Sequence, residues 1–562
     1  MTEPLVECVP NFSEGRDPAI IRSITEAVES VEGVKLLDVD PGRATHRTVV
    51  TLVGPPPLVV EAAVRAGRVA AKLIDMSRHQ GEHPRFGAMD VCPLVPVAGI
   101  SMDETVAYAH ELARRLGEEV GLTVYCYEHA ARRDERRNLA AVRAGEYEGL
   151  KEKLADPEWQ PDFGPAVFNA QSGATAVGAR NFLVAYNINL NTTSSRWANA
   201  IAFDVREKGR PRRTGNPLTG PVVLDGDGRE VWIPGSLQSV KAIGWFIQEY
   251  GIAQISMNLT DIATTPIHVA FEEVCRAAAA RGIRVTGSEL VGLVPLEAMR
   301  EAGRSFLRKQ KRSLGVPDRD LVRLAVRSLG LDELGPFQPR QKIIEYAMGA
   351  DAGNRLVDRT MEDFVFATAA ESPAPGGGSV AATVGALAAA LGTMVANLSA
   401  HKRGWDDRWE EFSGWAETGQ ASQDRLLALV DEDTAAFAAV MEAFRLPAGT
   451  AGEKEARRAA VQSATRRAME IPFRVMEEAH QSMVLLAAMA SEGLSSSASD
   501  AGVGALCARA AVRGAFLNVR INAGGLEDKV FAGDLIKRGR RIDEEAAARE
   551  NEILAMVESR LS

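Results

Sequence analysis

The chain has 562 residues, a length that corresponds to three or four domains at about 150 residues each. Hydrophobic residues make up 46% and charged residues 25% of the chain, and these proportions exclude a largely disordered protein. The formal net charge of −10 argues against nucleic acid as a partner, while a local basic pocket for a small anion stays possible.

The cysteines, the N-terminus and one long uncharged segment indicate the cellular compartment of the protein. Five cysteines are scattered without a C-x-x-C pair, which predicts reduced thiols and a cytoplasmic protein. Met1–Pro4 lack a basic stretch followed by an apolar one, so no signal peptide is expected. Residues 372–399 carry no charge and are long enough to cross a bilayer. Their Ala, Gly, Thr and Ser content instead predicts a tightly packed helix in a soluble bundle and no membrane span.

Up to about residue 300, short β-branched runs alternate with amphipathic stretches, which predicts α/β or α+β layers. The predicted strands cover residues 5–9, 34–39, 48–53, 91–97, 122–127, 182–190, 253–259 and 283–285. The predicted helices include residues 19–31, 57–74 and 103–116. Residues 157–178, rich in Gly, Pro and small polar side chains, are predicted as a loop that joins two subdomains and lines a cleft. Within residues 208–235, two short runs flank Asp-Gly-Asp-Gly, which predicts a surface β-hairpin insertion.

After Pro336 the strand signal disappears and long 3.6-residue periodicity predicts an all-α domain. Its helical stretches cover residues 380–398, 409–444, 452–491, 499–521 and 542–561. The predicted fold class is therefore α/β (α+β) in two subdomains, followed by an all-α helical bundle. The predicted boundaries are 1–181 and 182–335 for the two subdomains, 336–354 for a linker and 355–562 for the helical domain.

The densest polar cluster of the first half lies in residues 75–90. His79 and His83 are spaced as in the zinc motif H-x-x-E-H, but Gly81 and Pro84 oppose the helix which that motif needs, so no metal is predicted. A loop histidine beside a carboxylate can instead move a proton to or from an amine nucleophile. The alternative is a histidine that only caps backbone groups.

The segment 9–17 follows the first predicted strand directly. Asn11, Ser13 and Glu14 either line a site at the end of this strand or belong to a helix cap, for which Ser13 and Asp17 are the candidates.

Three features of the helical half each allow two interpretations. Gly376, Gly377 and Gly378 precede a helix and either bind an anion or polar ring through backbone N–H groups or form a plain entry turn. Asp431 and Asp433 lie within a strongly apolar helix and are either functional or solvated. Asn518 and Asn522 share one helix face, where they bind a heterocycle or cross-link helices.

Assembled in chain order, these segments make the chain resemble the bifunctional formimidoyltransferase-cyclodeaminase family of histidine breakdown. The resemblance in the first half lies in L-V-E-C-V-P-N-F-S-E-G, L-L-D-V-D, S-R-H-x-G-E-H-P-R, D-F-G-P and V-G-L-V-P-L, at residues 5–15, 36–40, 77–85, 162–165 and 291–296. In the second half it lies in S-P-A-P-G-G-G-S-V-A-A, D-E-D, F-R-L-P and S-D, at residues 372–382, 431–433, 444–447 and 499–500.

The resemblance implies two reactions on one folate. The first half would transfer the formimidoyl group from N-formimidoyl-L-glutamate to tetrahydrofolate, with His83 taking the proton from the attacking nitrogen and Asp40 supporting it. The second half would cyclise the product to 5,10-methenyltetrahydrofolate and release ammonia, with Asp433 moving the proton. The resemblance further implies tetrahydrofolate as co-substrate, no metal, and a homo-oligomer with a dimerising helical domain.

Candidate binding residues follow from the resemblance together with local charge. They are Gly164, Pro165, Phe168, Asn169, Gly173, Arg78, Arg85, Asn11, Ser13, Gly376, Gly377, Gly378 and Lys402. Two departures from the family pattern are the insertion at residues 209–236 and the loose match of residues 168–173. The alternatives are a helical half that is a methenyltetrahydrofolate cyclohydrolase, and a non-catalytic folate-binding protein.

Overall fold

The computed structural model describes residues 4–43, 46–80, 85–216, 219–248, 250–349, 355–372 and 374–561. The chain divides into two compact units. Unit 1 contains Met1–Met299 and Val326–Ala350, and unit 2 contains Arg300–Ala325 and Asp351–Ser562. Residues 300–325, which the sequence analysis assigned to the second subdomain, are grouped with unit 2 by their contacts. The subdomain boundaries themselves stay a prediction.

The first part of unit 1 is a mixed sheet. Its strands are β1 (Leu5–Cys8), β2 (Asn11–Phe12), β3 (Lys35–Gly42), β4 (Arg47–Gly54), β5 (Met89–Ala98), β6 (Thr123–Glu128) and β7 (Ala174–Ala179). The sheet order is β1-β4-β2-β5-β7-β6, with β3 paired to β4. Strands β5, β7 and β6 run parallel to one another, and the other pairings are antiparallel.

Helices accompany this sheet. They are α1 (Pro18–Glu29), α2 (Pro56–Leu73), α3 (Met102–Arg115), α4 (Leu139–Val142) and α5 (Leu150–Ala155). Asp17 caps α1 by accepting from the backbone N–H of Ala19, which confirms the helix-cap interpretation for Asp17. Ser101 and Glu104 cap the N-terminus of α3 with a reciprocal capping box.

Strand β7 corrects the prediction that residues 157–178 form a loop throughout. Its sequence, Ala-Thr-Ala-Val-Gly-Ala, carries little β-propensity, yet all six residues are buried between β5 and β6. Tertiary context therefore decides this strand. At Gly178 a side chain would overlap the ring of Tyr127, so the small residues of β7 are required by what packs against them.

The second part of unit 1 is an antiparallel sheet of order β11-β12-β8-β13. Its strands are β8 (Val184–Leu190), β11 (Val240–Ile247), β12 (Ile252–Leu259) and β13 (Val285–Val291), with helices α6 (Ser195–Val205) and α7 (Ile267–Ala279). The sequence analysis missed β11, whose pattern Gly244 interrupts. A side chain at Gly244 would overlap the backbone of α6, so this glycine permits the close approach of helix and strand.

Residues 209–236 contain the predicted hairpin. Leu224 lies opposite Glu230, and Asp225 closes the turn between them through hydrogen bonds to the backbone N–H groups of Asp227 and Arg229. Strands β9 (Arg210–Pro211) and β10 (Trp232–Ile233) pair at its base.

The rest of the described chain is helical. These helices are α8 (Leu296–Lys309), α9 (Asp318–Leu329), α10 (Pro339–Lys342), α11 (Ile344–Gly349), α12 (Met361–Ala369), α13 (Gly377–Ala400), α14 (Trp409–Arg445), α15 (Ala451–Glu492), α16 (Ala498–Ala523) and α17 (Lys529–Leu561). The five long helices α13–α17 share one buried apolar cluster, so the predicted all-α domain is confirmed.

Helix α13 is long and apolar enough, among the described residues, to cross a membrane by length and composition. Within unit 2 it is a packed helix, since 61% of its most apolar window is buried. Its glycines allow the close packing: a β-carbon at Gly392 would lie 2.8 Å from Leu485 Cδ2. Small residues therefore let the backbone of α13 approach its neighbours.

Candidate functional site

Unit 1 contains a cleft of about 820 Å³ with walls from both of its sheets. Clefts at such junctions are frequent ligand sites. The first part contributes strand ends and the segment after α4, and the second part contributes the ends of β11 and β12. Its polar and charged lining residues are Asn11, Tyr127, Glu128, His129, Asn138, Arg143, Glu146, Arg180, Asn181, Ser239, Lys241, Thr260 and Asp261.

Of the residues predicted from the sequence, Asn11 lines this cleft, and Asp40 lies on the same face of the sheet as Asn11. Asn11 is buried, donates from Nδ2 to the Val9 carbonyl at 2.9 Å and accepts from Arg47 Nε at 2.8 Å. Asp40 and Asn11 both lie opposite Val49, on either side of β4. Two strand spacings of about 4.8 Å therefore separate the backbones of Asp40 and Asn11, and their side chains leave the same face.

A histidine pair lies close to Glu14. The rings of His46 and His79 stack with centroids 4.2 Å apart, and Nε2 of His46 lies 3.1 Å from Oε1 of Glu14. Burial lowers the pKa of His79 below its usual value, which favours a neutral imidazole. Burial alone would raise the pKa of Glu14, but hydrogen bonds from the backbone N–H groups of Asp17 and Arg16 and the contact with His46 lower it.

His83, the predicted catalytic histidine, and Glu82 lie outside the described residues. The sequence analysis missed His46, whose only signal is that it lies two residues before the predicted strand at 48–53.

Other predicted binding residues of the first half have partners within the protein. The Ser13 hydroxyl donates to the Gly87 carbonyl at 2.7 Å. Arg85 pairs with Glu148 at 2.6 Å and lies over the Tyr147 ring. The side chain of Arg78 is 88% exposed and pairs with Asp75 at 3.3 Å. The contacts of Ser13 and Arg85 therefore give both residues a structural role, whereas Arg78 is exposed at the surface.

The segment 164–173 is largely exposed, and none of it lines the cleft. Gly164 and Gly173 both have positive φ, and the backbone crowds both positions. Asn169 accepts hydrogen bonds from the backbone N–H groups of Gln171 and Ser172. Pro165 accepts through its carbonyl from the Thr123 hydroxyl at 2.8 Å, and Phe168 packs on Tyr147. The structure thus shows a turn scaffold for these residues, and their contact with folate stays a prediction.

Unit 2 contains a separate pocket of about 430 Å³. Its lining residues are Ala374, Gly376, Gly377, Gly378, Asp433, Thr434, Phe437, Val440, Phe444, Val461, Thr465, Ala468, Asn518, Ile521, Asn522 and Gly525. The sequence features at 376–378, 433 and 518–522, remote in the chain, therefore meet at one place. A pocket of aromatic and aliphatic side chains with a few amides and one carboxylate suits a planar heterocycle.

Asp433 is the ionisable group of this pocket. Its Oδ2 accepts from the Ser379 hydroxyl at 2.9 Å, and that hydroxyl lies 3.1 Å from the Thr434 hydroxyl. Burial raises the pKa of Asp433 above its usual value, against the opposing effect of the hydrogen bonds from Ser379. A side chain at Gly378 would overlap the carboxylate, so glycine is required for Asp433 to lie against the start of α13.

The neighbouring acid and the two amides have structural partners. Asp431 accepts from the backbone N–H of Leu356 at 2.7 Å, which joins α14 to the segment before α12. Asn518 donates to the Gly514 carbonyl at 2.9 Å within α16, and Asn522 donates to the Ala468 carbonyl of α15 at 2.7 Å. Asn522 therefore cross-links two helices while it also lines the pocket.

Lys402 lies at the other end of α13 from Gly377, about 36 Å away at 1.5 Å per residue. Its ammonium lies 4.1 Å from the centre of the Trp405 ring. The structure therefore does not bring Lys402 together with the Gly376–Gly378 turn. Across the described parts of the chain, no group of three or more His, Cys, Asp or Glu residues could hold a metal ion.

The protein combines an α+β unit that has a polar cleft with a helical unit that has a partly buried carboxylate in a pocket of its own. This arrangement is typical of an enzyme with two separate sites. Comparison with known proteins agrees with this class. Family models match residues 5–180 (formiminotransferase domain, N-terminal subdomain), 185–349 (formiminotransferase domain) and 360–541 (formiminotransferase-cyclodeaminase). The chain belongs to the formimidoyltransferase-cyclodeaminase family.

Relatives match the whole chain and each half. Formimidoyltransferase-cyclodeaminase of Gallus gallus is 45% identical over 557 residues, which cover 99% of both chains. Glutamate formimidoyltransferase of Thermoplasma acidophilum is 42% identical over 305 residues, 54% of this chain and 92% of the relative. Methenyltetrahydrofolate cyclohydrolase of Methylorubrum extorquens is 36% identical over 211 residues, 38% of this chain and 100% of the relative.

Proposed function

We propose that unit 1 transfers the formimidoyl group from N-formimidoyl-L-glutamate to tetrahydrofolate and that unit 2 cyclises the product to 5,10-methenyltetrahydrofolate with release of ammonia. The observation that carries this proposal is the 45% identity over 99% of both chains to a relative named for both activities. The two separate cavities support it, because each reaction then has a site of its own.

In the transfer step, nitrogen-5 of the folate attacks the formimidoyl carbon and glutamate leaves as an amine. The attacking nitrogen must lose a proton, and the leaving nitrogen must gain one. We assign His83 to this exchange, with Asp40 in support, on the family resemblance. The position of Asp40 on the cleft face of the first sheet supports its part in this assignment.

In the second step, nitrogen-10 attacks the same carbon, and the former imino nitrogen leaves as ammonia. A carboxylic acid whose pKa is raised by burial holds its proton at higher pH and can deliver it to the leaving nitrogen. Asp433 has this property and faces the pocket that would hold the folate ring. Ser379 orients the carboxyl by donating to Oδ2.

The relation to the Methylorubrum cyclohydrolase favours a second candidate for unit 2, hydrolysis of a methenyl folate. Supplied 5-formimidoyltetrahydrofolate distinguishes the two: a cyclodeaminase releases ammonia as methenyl absorbance rises, whereas a cyclohydrolase releases none and consumes added methenyltetrahydrofolate. Absence of ammonia from the wild-type chain would refute the cyclodeaminase.

The two assignments are tested with crossed variants of the full chain. We expect His83→Ala to lose glutamate release from formimidoylglutamate and to keep ammonia release from supplied 5-formimidoyltetrahydrofolate. Asp433→Asn should show the reverse, with each lost activity reduced about 10³-fold, the order of a general acid–base contribution. A variant that loses both activities, or neither, contradicts the division of labour.

A cytoplasmic homo-oligomer is part of the proposal. None of the five cysteines forms a disulfide in the structure, which suits a reducing compartment. Leu387 and Leu398 of α13 and Leu506 of α16 are large apolar side chains that are nearly half exposed in the single chain. A second copy that covers them would remove this surface from water, and the mass from light scattering checks it.

A further inference from the structure

The pocket of unit 2 that contains Asp433 continues into a second cavity of about 360 Å³. We call this cavity the tip pocket, because its lining comes from the end of α14, the connection after it and the first turns of α15. Phe444 of α14 and Val461 of α15 line both cavities. The two cavities are therefore parts of one groove along the hairpin of α14 and α15.

The lining of this groove changes in a fixed order along α14. The carboxyl of Asp433 lies at one end, and Phe437, Val440 and Phe444 follow toward the tip pocket. Asp433 and Phe444 lie about 16 Å apart along the helix, at 1.5 Å per residue. The side chains of Phe437 and Phe444 are 38% and 50% exposed, so an aromatic ring in the groove would cover apolar surface that now faces water.

The tip pocket is basic. Lys454, Arg457 and Arg458 line it together with a single acid, Glu527. Arg458 is already paired, since its Nη2 lies 2.7 Å from Oε2 of Glu527. Within the described part of the chain, the charged groups of Lys454 and Arg457 have neither a hydrogen bond nor an ion pair. Two cations at the end of an apolar groove suit the carboxylates of a bound ligand.

We infer that Lys454 and Arg457 bind the carboxylates of the folate's glutamate in the tip pocket. This inference rests on the proposed cyclodeaminase function. A reduced folate consists of a pterin ring that carries the reacting nitrogen, an aromatic p-aminobenzoyl group and a glutamate, in that order. The groove offers a carboxyl, apolar side chains and two cations in the same order. Lys454 and Arg457 are then specificity-determining residues that act on binding, remote from the proton transfer at Asp433.

The test removes the charges from the protein and the glutamate from the substrate. Full-length wild type and the double variant Lys454→Gln/Arg457→Gln are assayed for ammonia release from 5-formimidoyltetrahydrofolate and from 5-formimidoyltetrahydropteroate, which lacks the glutamate. We expect wild type to prefer the folate by about 10-fold in kcat/KM, the combined effect of two charge-assisted contacts at a partly exposed site. The double variant should reduce this preference to within about threefold through KM, with kcat nearly unchanged.

The matched control is Arg467→Gln. Arg467 is an exposed arginine of α15 that lines neither cavity, so this variant removes the same charge from the same helix. It should keep the wild-type preference. The exchange variant Lys454→Arg/Arg457→Lys retains both charges and should keep most of the preference.

A binding measurement separates the inference from the function on which it rests. Wild type that releases no ammonia would refute the cyclodeaminase, and equilibrium dialysis of the full chain with tetrahydrofolate then decides the tip pocket. The double variant should bind tetrahydrofolate about 10-fold more weakly than wild type at one of two sites per chain, and should bind tetrahydropteroate as wild type does. A folded double variant that binds both ligands as wild type does, or keeps the wild-type preference in the ammonia assay, would overturn the inference. A loss of kcat alone, or an equal loss of preference in Arg467→Gln, would overturn it too.

Discussion

Each unit holds a buried aspartate that accepts hydrogen bonds from two arginines, but the two clusters lie in different surroundings. They are Asp90 with Arg47 and Arg143 in unit 1, and Asp543 with Arg509 and Arg513 in unit 2. The first cluster joins β4, β5 and the segment after α4, and one of its arginines reaches a cleft. The second joins α16 to α17 and lines neither the cleft nor the pocket described above.

The comparison shows that the same side chains in the same pairing do not define a site. What distinguishes the clusters is the cavity beside one of them and the β-bulge in β5 that places Asp90 there. The ionisable group of the unit 2 pocket, Asp433, accepts a hydrogen bond from the Ser379 hydroxyl, and burial raises the pKa of its carboxyl. The helical unit therefore separates its structural carboxylate from its proposed catalytic one.

The structural role of Asp543 predicts the largest effect. Asp543→Ala leaves Arg513 without this carboxylate and leaves Arg509 with Glu550, whose carboxylate lies 3.7 Å away. We expect it to lower the free energy of unfolding of unit 2 by about 3–5 kcal/mol. Urea unfolding of the full chain, followed by the tryptophans of unit 2, measures the change.

The matched control for this prediction is Asp534→Ala on the same helix. The Asp534 side chain is 62% exposed, and its carboxylate lies 3.8 Å from Arg538. We expect a loss below about 1 kcal/mol there. Equal losses for the two variants would show that the Asp543 cluster holds the helices together no better than a surface pair.

The pocket of unit 2 predicts the next largest effect. In Gly378→Ala the added methyl overlaps the carboxylate of Asp433, which must move away from Ser379. We expect ammonia release from 5-formimidoyltetrahydrofolate to fall about 100-fold, as a displaced catalytic group implies, while formimidoyl transfer stays within twofold of wild type. Gly414→Ala, in open space on α14, is the control and should change neither rate. A normal deaminase rate in Gly378→Ala would remove Asp433 from the mechanism.

The sequence predicted the features of the unit 2 pocket well, because each carries a local signal. Three glycines before a helix and an acid in an apolar helix are visible in the chain, and the structure brings Gly376–Gly378 and Asp433 together. The prediction of Lys402 as a binding residue rests on its charge alone. Helix length then separates it from that pocket, a consequence that charge does not reveal.

The cleft of unit 1 was harder to predict, because its parts depend on register and distant contacts. Asp90 and Arg143 look like ordinary charged residues in the chain. Only the bulge in β5 and the position of Arg143 after α4 bring them to the cleft. Strand β7 was missed for the same kind of reason, since its small residues suit a strand only between two buried neighbours. Where a site is made by tertiary pairing, the sequence indicates its chemistry and the fold decides its members.

The pH dependence of another buried carboxylate, that of Glu7, extends the comparison. Glu7 on β1 is 5% exposed, and burial raises its pKa to about 7, with Arg180 acting in the opposite direction. The unfolded chain ionises this group near its ordinary pKa of about 4.3, whereas the folded chain keeps it protonated up to about pH 7. Between these two values the folded state binds more protons, so the stability of unit 1 falls as the pH rises and becomes constant above the folded pKa.

Glu7→Gln removes this titration, and we expect it to be about as stable as wild type at pH 4.5 and more stable than wild type at pH 8. Urea unfolding of both chains at the two pH values measures the difference, with Glu118→Gln on the exposed surface after α3 as control. A wild-type advantage at pH 8 would mean that Glu7 is ionised and paired in the folded protein. It would then belong with Asp90 and Asp543 as a carboxylate that arginine stabilises, and not with Asp433 as one that burial keeps protonated.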